Sequence, residues 1–225
     1  MPGVPIILSW SGGKDSALAL HALQQQTEYN VCGLLTSVNQ HYQRISMHGV
    51  RESLLDAQAE AIGLPLYKVR LSERPSNAEY EQQMRATLEQ IKAQGIRHVA
   101  FGDLFLEDIR EYRIAQLRQV DMRAVFPLWH RPTGQLADEF VAAGFKAVLC
   151  CVDGQALPAD FAGREFDAAL LNDLPAATDP CGENGEFHSF VYAGPVFRRP
   201  VPVQTGECVT RDQRFHFCDL LAMEN

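Results

Sequence analysis

Val4-Pro5-Ile6-Ile7-Leu8-Ser9-Trp10-Ser11-Gly12-Gly13-Lys14-Asp15-Ser16 runs from an apolar stretch through a glycine turn into a helical pattern. Leu18 with Ala22, and Ala19 with Leu23, fall at i,i+4 spacing and mark the helix face. A strand that ends in a glycine-rich turn at a helix N-terminus presents unpaired N–H groups and the positive end of the helix dipole. Together these suit a polyphosphate. Gly12 and Gly13 let backbone approach oxygen closely, Lys14 adds a point charge, and the hydroxyls of Ser11 and Ser16 add donors. Asp15 is a candidate ligand for Mg2+ held against the phosphates. The spacing is neither that of a Walker A loop nor that of a dinucleotide fingerprint. The plain alternative is a tight turn with Asp15 or Ser16 as an ordinary N-cap.

Working outward, short apolar runs recur at Val31 to Leu35, Leu66 to Leu71, Val99 to Phe101 and Ala124 to Phe126, alternating with amphipathic segments. Runs of this kind read as buried parallel strands. Ser76 and Glu79 form a capping-box pattern ahead of a face made by Tyr80, Met84, Leu88 and Ile91, and Gly95 stops that helix. Arg51 to Ile62 and Glu107 to Val120 carry similar faces. The alternation predicts an α/β fold with a Rossmann-like, doubly wound, five-stranded parallel sheet. After Phe126 the texture changes. A helix at Thr133 to Ala143, a strand at Ala147 to Val152 and β-rich stretches at Glu186 to Tyr192 and Arg214 to Cys218 suggest a smaller C-terminal α+β subdomain. The expected division is 1–126 for nucleotide and 127–225 for substrate.

A net charge of −8 argues against a protein built to grip phosphate backbones. The N-terminus lacks the features of a signal peptide, and no apolar run reaches membrane-spanning length, so the expected location is the cytoplasm. The six cysteines include no C-x-x-C pair, and most lie in apolar runs, where cysteine serves as a small buried residue. Cys150-Cys151 is read in that way.

The hexapeptide Ser11 to Ser16 resembles the PP-loop of the N-type ATP pyrophosphatases, in the adenine nucleotide alpha hydrolase-like superfamily. That resemblance implies ATP cleaved between its α- and β-phosphates, with a substrate oxygen activated as an adenylate. Four further segments, Ile45-Ser46-Met47-His48-Gly49, Phe101-Gly102-Asp103, Val125-Phe126-Pro127-Leu128-Trp129 and Asp179-Pro180-Cys181-Gly182-Glu183-Asn184-Gly185-Glu186-Phe187-His188, resemble the diphthine–ammonia ligase family. Eukaryotic and archaeal members usually carry Glu-Gly-Gly-Glu where this chain has Glu183-Asn184-Gly185-Glu186, and the asparagine form looks like the bacterial branch. The resemblance implies an ATP-dependent amide ligase that takes ammonia and a carboxylate-bearing acceptor, either a small molecule or a modified protein side chain.

On this reading ATP meets Ser9, Trp10, Ser11, Gly12, Gly13, Lys14, Asp15, Ser16, His48, Gly102, Asp103 and Arg110, with Mg2+ at Asp15. The catalytic candidates are Lys14, Asp15, Glu183 and Glu186, the two glutamates orienting an amine or taking a proton from ammonium. Trp129, Cys181, Gly182, Glu183, Asn184, Glu186 and His188 are candidates for holding the acceptor. Each has a plainer role: Asp103 and His48 as caps, Arg110 in a surface pair with Glu107, Trp129 as junction packing, and the Cys181 to His188 segment as a solvated turn. A zinc site in that segment matches no usual Cys/His spacing. Two other readings stay open, a tRNA-modifying PP-loop enzyme and a non-catalytic ATP-binding regulatory module. A homodimer is compatible with the sequence.

Overall fold

The apolar run at the start of the chain forms β1 (Val4–Ser9), in which Ile6, Ile7 and Leu8 are fully buried. Side chains alternate across a strand, and here Ile6 and Leu8 enter one core while Ile7 enters another. β1 is therefore covered on both faces, as a parallel strand must be. The computed structural model describes residues 3–42, 44–45 and 49–223. Five parallel strands lie in the order β4 (Leu66–Leu71), β2 (Tyr29–Asn39), β1, β5 (His98–Ala100), β6 (Arg123–Val125). A two-residue β3 (Arg44–Ile45) folds back antiparallel on the end of β2. Helices α1 (Lys14–Gln24) and α2 (Glu52–Ile62) pack on the face of Ile6 and Leu8, and α3 (Asn77–Ala93) and α4 (Glu107–Arg118) on the face of Ile7. The strand order reverses direction between β1 and β5, which opens a crevice at their carboxyl ends, where doubly wound sheets bind ligands.

The rest of the chain adds α5 (Thr133–Ala142), β7 (Lys146–Asp153), a short 3-10 turn, α6 (Ala168–Asp173), β8 (Phe187–Ala193), β9 (Val203–Arg211) and β10 (Phe215–Ala222). Its four strands form an antiparallel sheet in the order β8, β7, β10, β9. Phe140 stacks on Phe145 at 4.8 Å and meets Phe166 edge-on at 5.2 Å. These rings belong to the same continuous core as Leu18, Leu20 and Leu55 of α1 and α2, so the antiparallel sheet closes over the α1 and α2 face of the parallel one.

Gln58, fully buried on α2, joins the two sheets. Its Nε2 donates to the carbonyls of Gly12 (3.0 Å) and Val191 (2.6 Å), and its Oε1 accepts from Trp10 Nε1 (2.8 Å). Val191 N donates to the Gly12 carbonyl at 2.9 Å. Gly12 has φ +80°, and a Cβ there would lie 2.9 Å from Gln58 Oε1, so both its backbone shape and its close approach require glycine.

Several expectations need correction. β2 runs to Asn39, beyond the predicted end at Leu35, because Leu34 to Asn39 pair with β4. Thr36 and Asn39 are buried, and the Asn39 amide donates to the carbonyls of Ser72 and Glu73. The capping box is half formed. Ser76 Oγ accepts from Glu79 N, but the Glu79 carboxylate turns to Ser72 N and Oγ. Cys150, Cys151, Cys181 and Cys218 are buried as expected, whereas Cys208 is exposed and Cys32 half-buried. Among the described residues no helix is long and apolar enough to cross a membrane.

Replacing Gln58 by Ala removes two donors and an acceptor from a dry junction and leaves the Trp10 indole N–H unpaired. The expected loss of stability is about 3 kcal/mol, measured by urea unfolding followed by circular dichroism.

Candidate active site

β1 ends at Ser9 and the chain turns through Ser11 to Gly13 before α1 begins at Lys14. Gly13 sits at the N-cap and brings no side chain of its own to the helix start. Neither Asp15 nor Ser16 occupies the N-cap, so the ordinary-cap reading fails. Ser16 Oγ donates to Gly13 O (2.8 Å), and Ser11 Oγ accepts from Gly13 N (3.3 Å) and lies 3.3 Å from Ser16 Oγ. Lys14 N donates to Ser189 Oγ on β8 at 3.1 Å. A Cβ on Gly102, just past β5, would lie 2.9 Å from the Asp15 backbone. Only glycine lets the exit of β5 pass the start of α1.

Lys14 is 3% exposed, and its ammonium lies 2.9 and 3.0 Å from the two Asp15 oxygens and 5.4 Å from the centre of the Phe187 ring. Burial is the largest single influence and lowers the Lys14 pKa, but the charge and hydrogen bond of Asp15 together with Cys181 and Glu183 outweigh it, and the net shift is upward. The Asp15 pKa is raised as well, by burial, which the Lys14 charge only partly offsets. Two neighbours expected to meet the nucleotide are paired with protein groups. Asp103 forms an ion pair with Arg113, Nε to Oδ2 at 2.6 Å. Arg110 pairs with Glu107 at 2.7 Å and lies over the rings of Phe126 and Trp129 at 5.5 and 5.1 Å. His48 lies outside the described residues.

The segment from Asp179 to His188 is held by its own side chains. Asp179 Oδ1 accepts from the amides of Cys181 (2.9 Å) and Glu183 (3.2 Å). Buried Glu186 accepts from Asp179 N, Asn184 N and Asn184 Nδ2, each at 3.0 Å. Gly182 and Gly185 adopt φ of +66° and +88°. Cys181 is buried with its thiol donating to Thr133 O at 3.3 Å, and burial pushes its pKa up to about 12. The loop thus presents Glu183, whose Oε1 accepts from Leu104 N at 2.8 Å. Burial raises its pKa to about 7, helped by the charges of Asp15 and Asp103 and opposed by the Leu104 amide and Lys14. His188 is held down at about 4 by burial and then by Lys14, and so is neutral at pH 7.

A cavity of ≈ 290 Å³ opens at the carboxyl ends of β1, β2 and β5, lined by Ser9, Ser11, Thr36, Ser37, Tyr80, Met84, Phe101, Tyr112 and Arg113 among others. Most of these lining residues carried no functional signal in the sequence. Tyr80 and Met84 read as core of α3, yet both are only half-buried and face this space. No group of three or more His, Cys, Asp or Glu among the described residues could hold a metal ion alone. Asp15 offers one carboxylate, which suits an ion whose other ligands are phosphate and water.

Residues 5–123 match the model of the diphthamide synthase N-terminal domain, and residues 132–220 that of the C-terminal domain. The chain belongs to the diphthamide synthase family. It is similar to the diphthine–ammonia ligase of Rattus norvegicus, 25% identical over 184 residues covering 75% of this chain and 67% of the relative. The Mus musculus protein of the same name is 26% identical with the same coverage, and that of Danio rerio 24% identical over 176 residues, 71% of this chain and 69% of the relative. As a diphthamide synthase family member the chain is an enzyme of the ligase type.

Glu183 supplies a pH test. Its folded pKa, about 7, lies above the ordinary carboxylate value of 4.5, so the folded state binds its proton more tightly than the unfolded one. Its contribution to stability is full below about pH 4.5 and is lost as pH rises through about 7. In Glu183→Gln that contribution no longer varies with pH. The stability difference between variant and parent is therefore expected to shift in the variant's favour from pH 5 to pH 8, as read by urea unfolding at both values.

Proposed function

We propose that this enzyme uses ATP to adenylate a substrate carboxylate, releases pyrophosphate, and then transfers ammonia to give an amide. The observation that carries this reading is the start of α1, where buried Lys14 lies within electrostatic reach of Asp15 and Glu183 and the Ser9 to Ser11 turn lines a cavity. The triphosphate lies along the Ser11 to Ser16 backbone, with Lys14 neutralising charge on the leaving pyrophosphate. The adenosine occupies the cavity lined by Ser37, Tyr80 and Tyr112, which is close to the size expected of a small-ligand pocket. Asp15 would hold Mg2+, which adds positive charge against the phosphates when bound.

In the first step a carboxylate oxygen of the acceptor attacks the α-phosphorus and the bond to the β-phosphate oxygen breaks. In the second, ammonium gives a proton to Glu183 and the resulting ammonia attacks the acyl carbon. AMP leaves with the former carboxylate oxygen, and the nitrogen gives up a second proton to solvent to become the neutral amide. A carboxylate with pKa about 7 is suited to that proton transfer at neutral pH. Glu186 and Asn184 act as positioning residues, since their hydrogen bonds shape the loop that presents Glu183. The acceptor lies between that loop and Trp129. The half from 127 to 225 thus carries acceptor recognition, and residues 1–126 carry the nucleotide.

The test incubates the protein with Mg-ATP, ammonium and a panel of carboxylates, including small acids and modified histidine peptides. AMP and pyrophosphate are the expected products, and Lys14→Ala is expected to lower kcat by about 100-fold or more with its fold intact by circular dichroism. ADP and phosphate as products would overturn the reading. Tight ATP retention with no AMP release across the panel would favour a regulatory nucleotide binder instead.

A further inference from the structure

β9 and β10 pair antiparallel with Cys208 directly opposite Cys218. Opposed residues in such a pair have Cα atoms about 4.5 to 5.5 Å apart and side chains on one face, within the span a disulfide bridges. Both sulfurs reach the same turn. Cys208 Sγ lies 4.0 Å from Ala162 O, and a Cβ on Gly163 would lie 3.0 Å from Cys218 Sγ. Both are free thiols. They differ in access, Cys208 being exposed and Cys218 only 4% exposed.

We propose that Cys208 and Cys218 form a reversible thiol–disulfide couple, in which Cys208 takes up a low-molecular-weight disulfide and Cys218 resolves it. In the first step the Cys208 thiolate attacks one sulfur of the small disulfide, forming a mixed disulfide and expelling one thiolate. The Cys218 thiol then loses its proton and attacks Cys208 Sγ, forming the Cys208–Cys218 bond and expelling the second thiolate. The protein dithiol is oxidised by two electrons and the small disulfide is reduced to two thiols. Burial pushes the Cys218 thiol up to about 12, so the second step is the slower and speeds up with rising pH.

The bond would act on the strand pair that anchors a neighbouring segment. Asp219, next to Cys218 and at the bulge in β10, holds Arg44 at 2.9 Å and Arg51 at 2.6 Å. Phe217 packs against Gly49. Oxidation fixes β9 to β10 beside these contacts. Cys150 on β7 also lies near Cys218 but is buried, Cys151 lies opposite Phe217 and His188, and Cys181 is on no strand; Cys208 is the exposed thiol beside Cys218.

The test exposes the full chain to oxidised glutathione, quenches in acid, alkylates, and maps the peptides by mass spectrometry. The parent is expected to end with Cys208 and Cys218 cross-linked. Cys218→Ser is expected to stop at a glutathionyl adduct on Cys208, and Cys208→Ser to take up none at Cys218 in the same time. Cys218→Ala carries the same expectation should the buried hydroxyl unfold the protein. A parent that keeps the adduct on Cys208 without cross-linking, or that links Cys208 to another cysteine, would overturn the proposal.

Discussion

The carbonyl of Gly12, shared between the amide of Val191 and the side chain of Gln58, holds the loop at the start of α1 against the antiparallel sheet. Much of the candidate site depends on that junction. Once β8 lies along the loop, Ser189 takes the Lys14 amide and Phe187 covers the Lys14 ammonium. The residues just before β8 are then delivered to the exit of β5, where Glu183 meets the Leu104 amide. A buried amide side chain satisfied on both its oxygen and its nitrogen is costly to disturb, because each partner left behind is itself a buried polar group. Gln58 therefore fixes the geometry on both sides of the crevice.

The electrostatics follow from the same enclosure. Asp15 and Glu183 lie near Lys14, Asp179 lies near Asp15, and Asp103, near Glu183, is already paired with Arg113. Negative charge in a poorly solvated space raises the cost of ionising each further carboxyl. Glu183 is the group that shows this most clearly, since Asp103 has Arg113 and Asp15 has Lys14. A pocket of this character favours cations in the region of Glu183, while the open backbone amides of the loop remain the place where an anion is tolerated.

The sequence made the parallel half legible because its signals are local. Ile6, Ile7 and Leu8 read as a strand covered on both faces, and Gly95 ends its helix at positive φ as its position suggested. The antiparallel half was harder to read. β9 is mostly exposed and polar, and α6 is six residues long, too short for a helical period to register. In the site, the Ser11 to Ser16 loop and the Cys181 to His188 segment stood out by composition. Gln58 did not, since nothing local distinguishes a buried glutamine from a solvated one on a helix. The cavity wall was likewise hidden, because Tyr80 and Met84 carry the same pattern on a face whether they meet core or an open pocket. The facing of Cys208 and Cys218 depends on the register set by the turn at Asp212 and Gln213, both at positive φ, which spacing alone does not reveal.

The bond from Lys14 to Ser189 spans 175 positions in the chain. Contacts of such separation pay a large loop-closure entropy and form late when a domain folds. The Ser11 to Ser16 loop is therefore among the first parts of the chain to be made and among the last to be finished. Until β8 docks, Gln58 lacks the Val191 carbonyl and the Lys14 amide lacks Ser189, and the start of α1 stays open to water. A polyphosphate that needs the finished loop would bind the folded state alone, so its binding energy would add to the stability of that final closure.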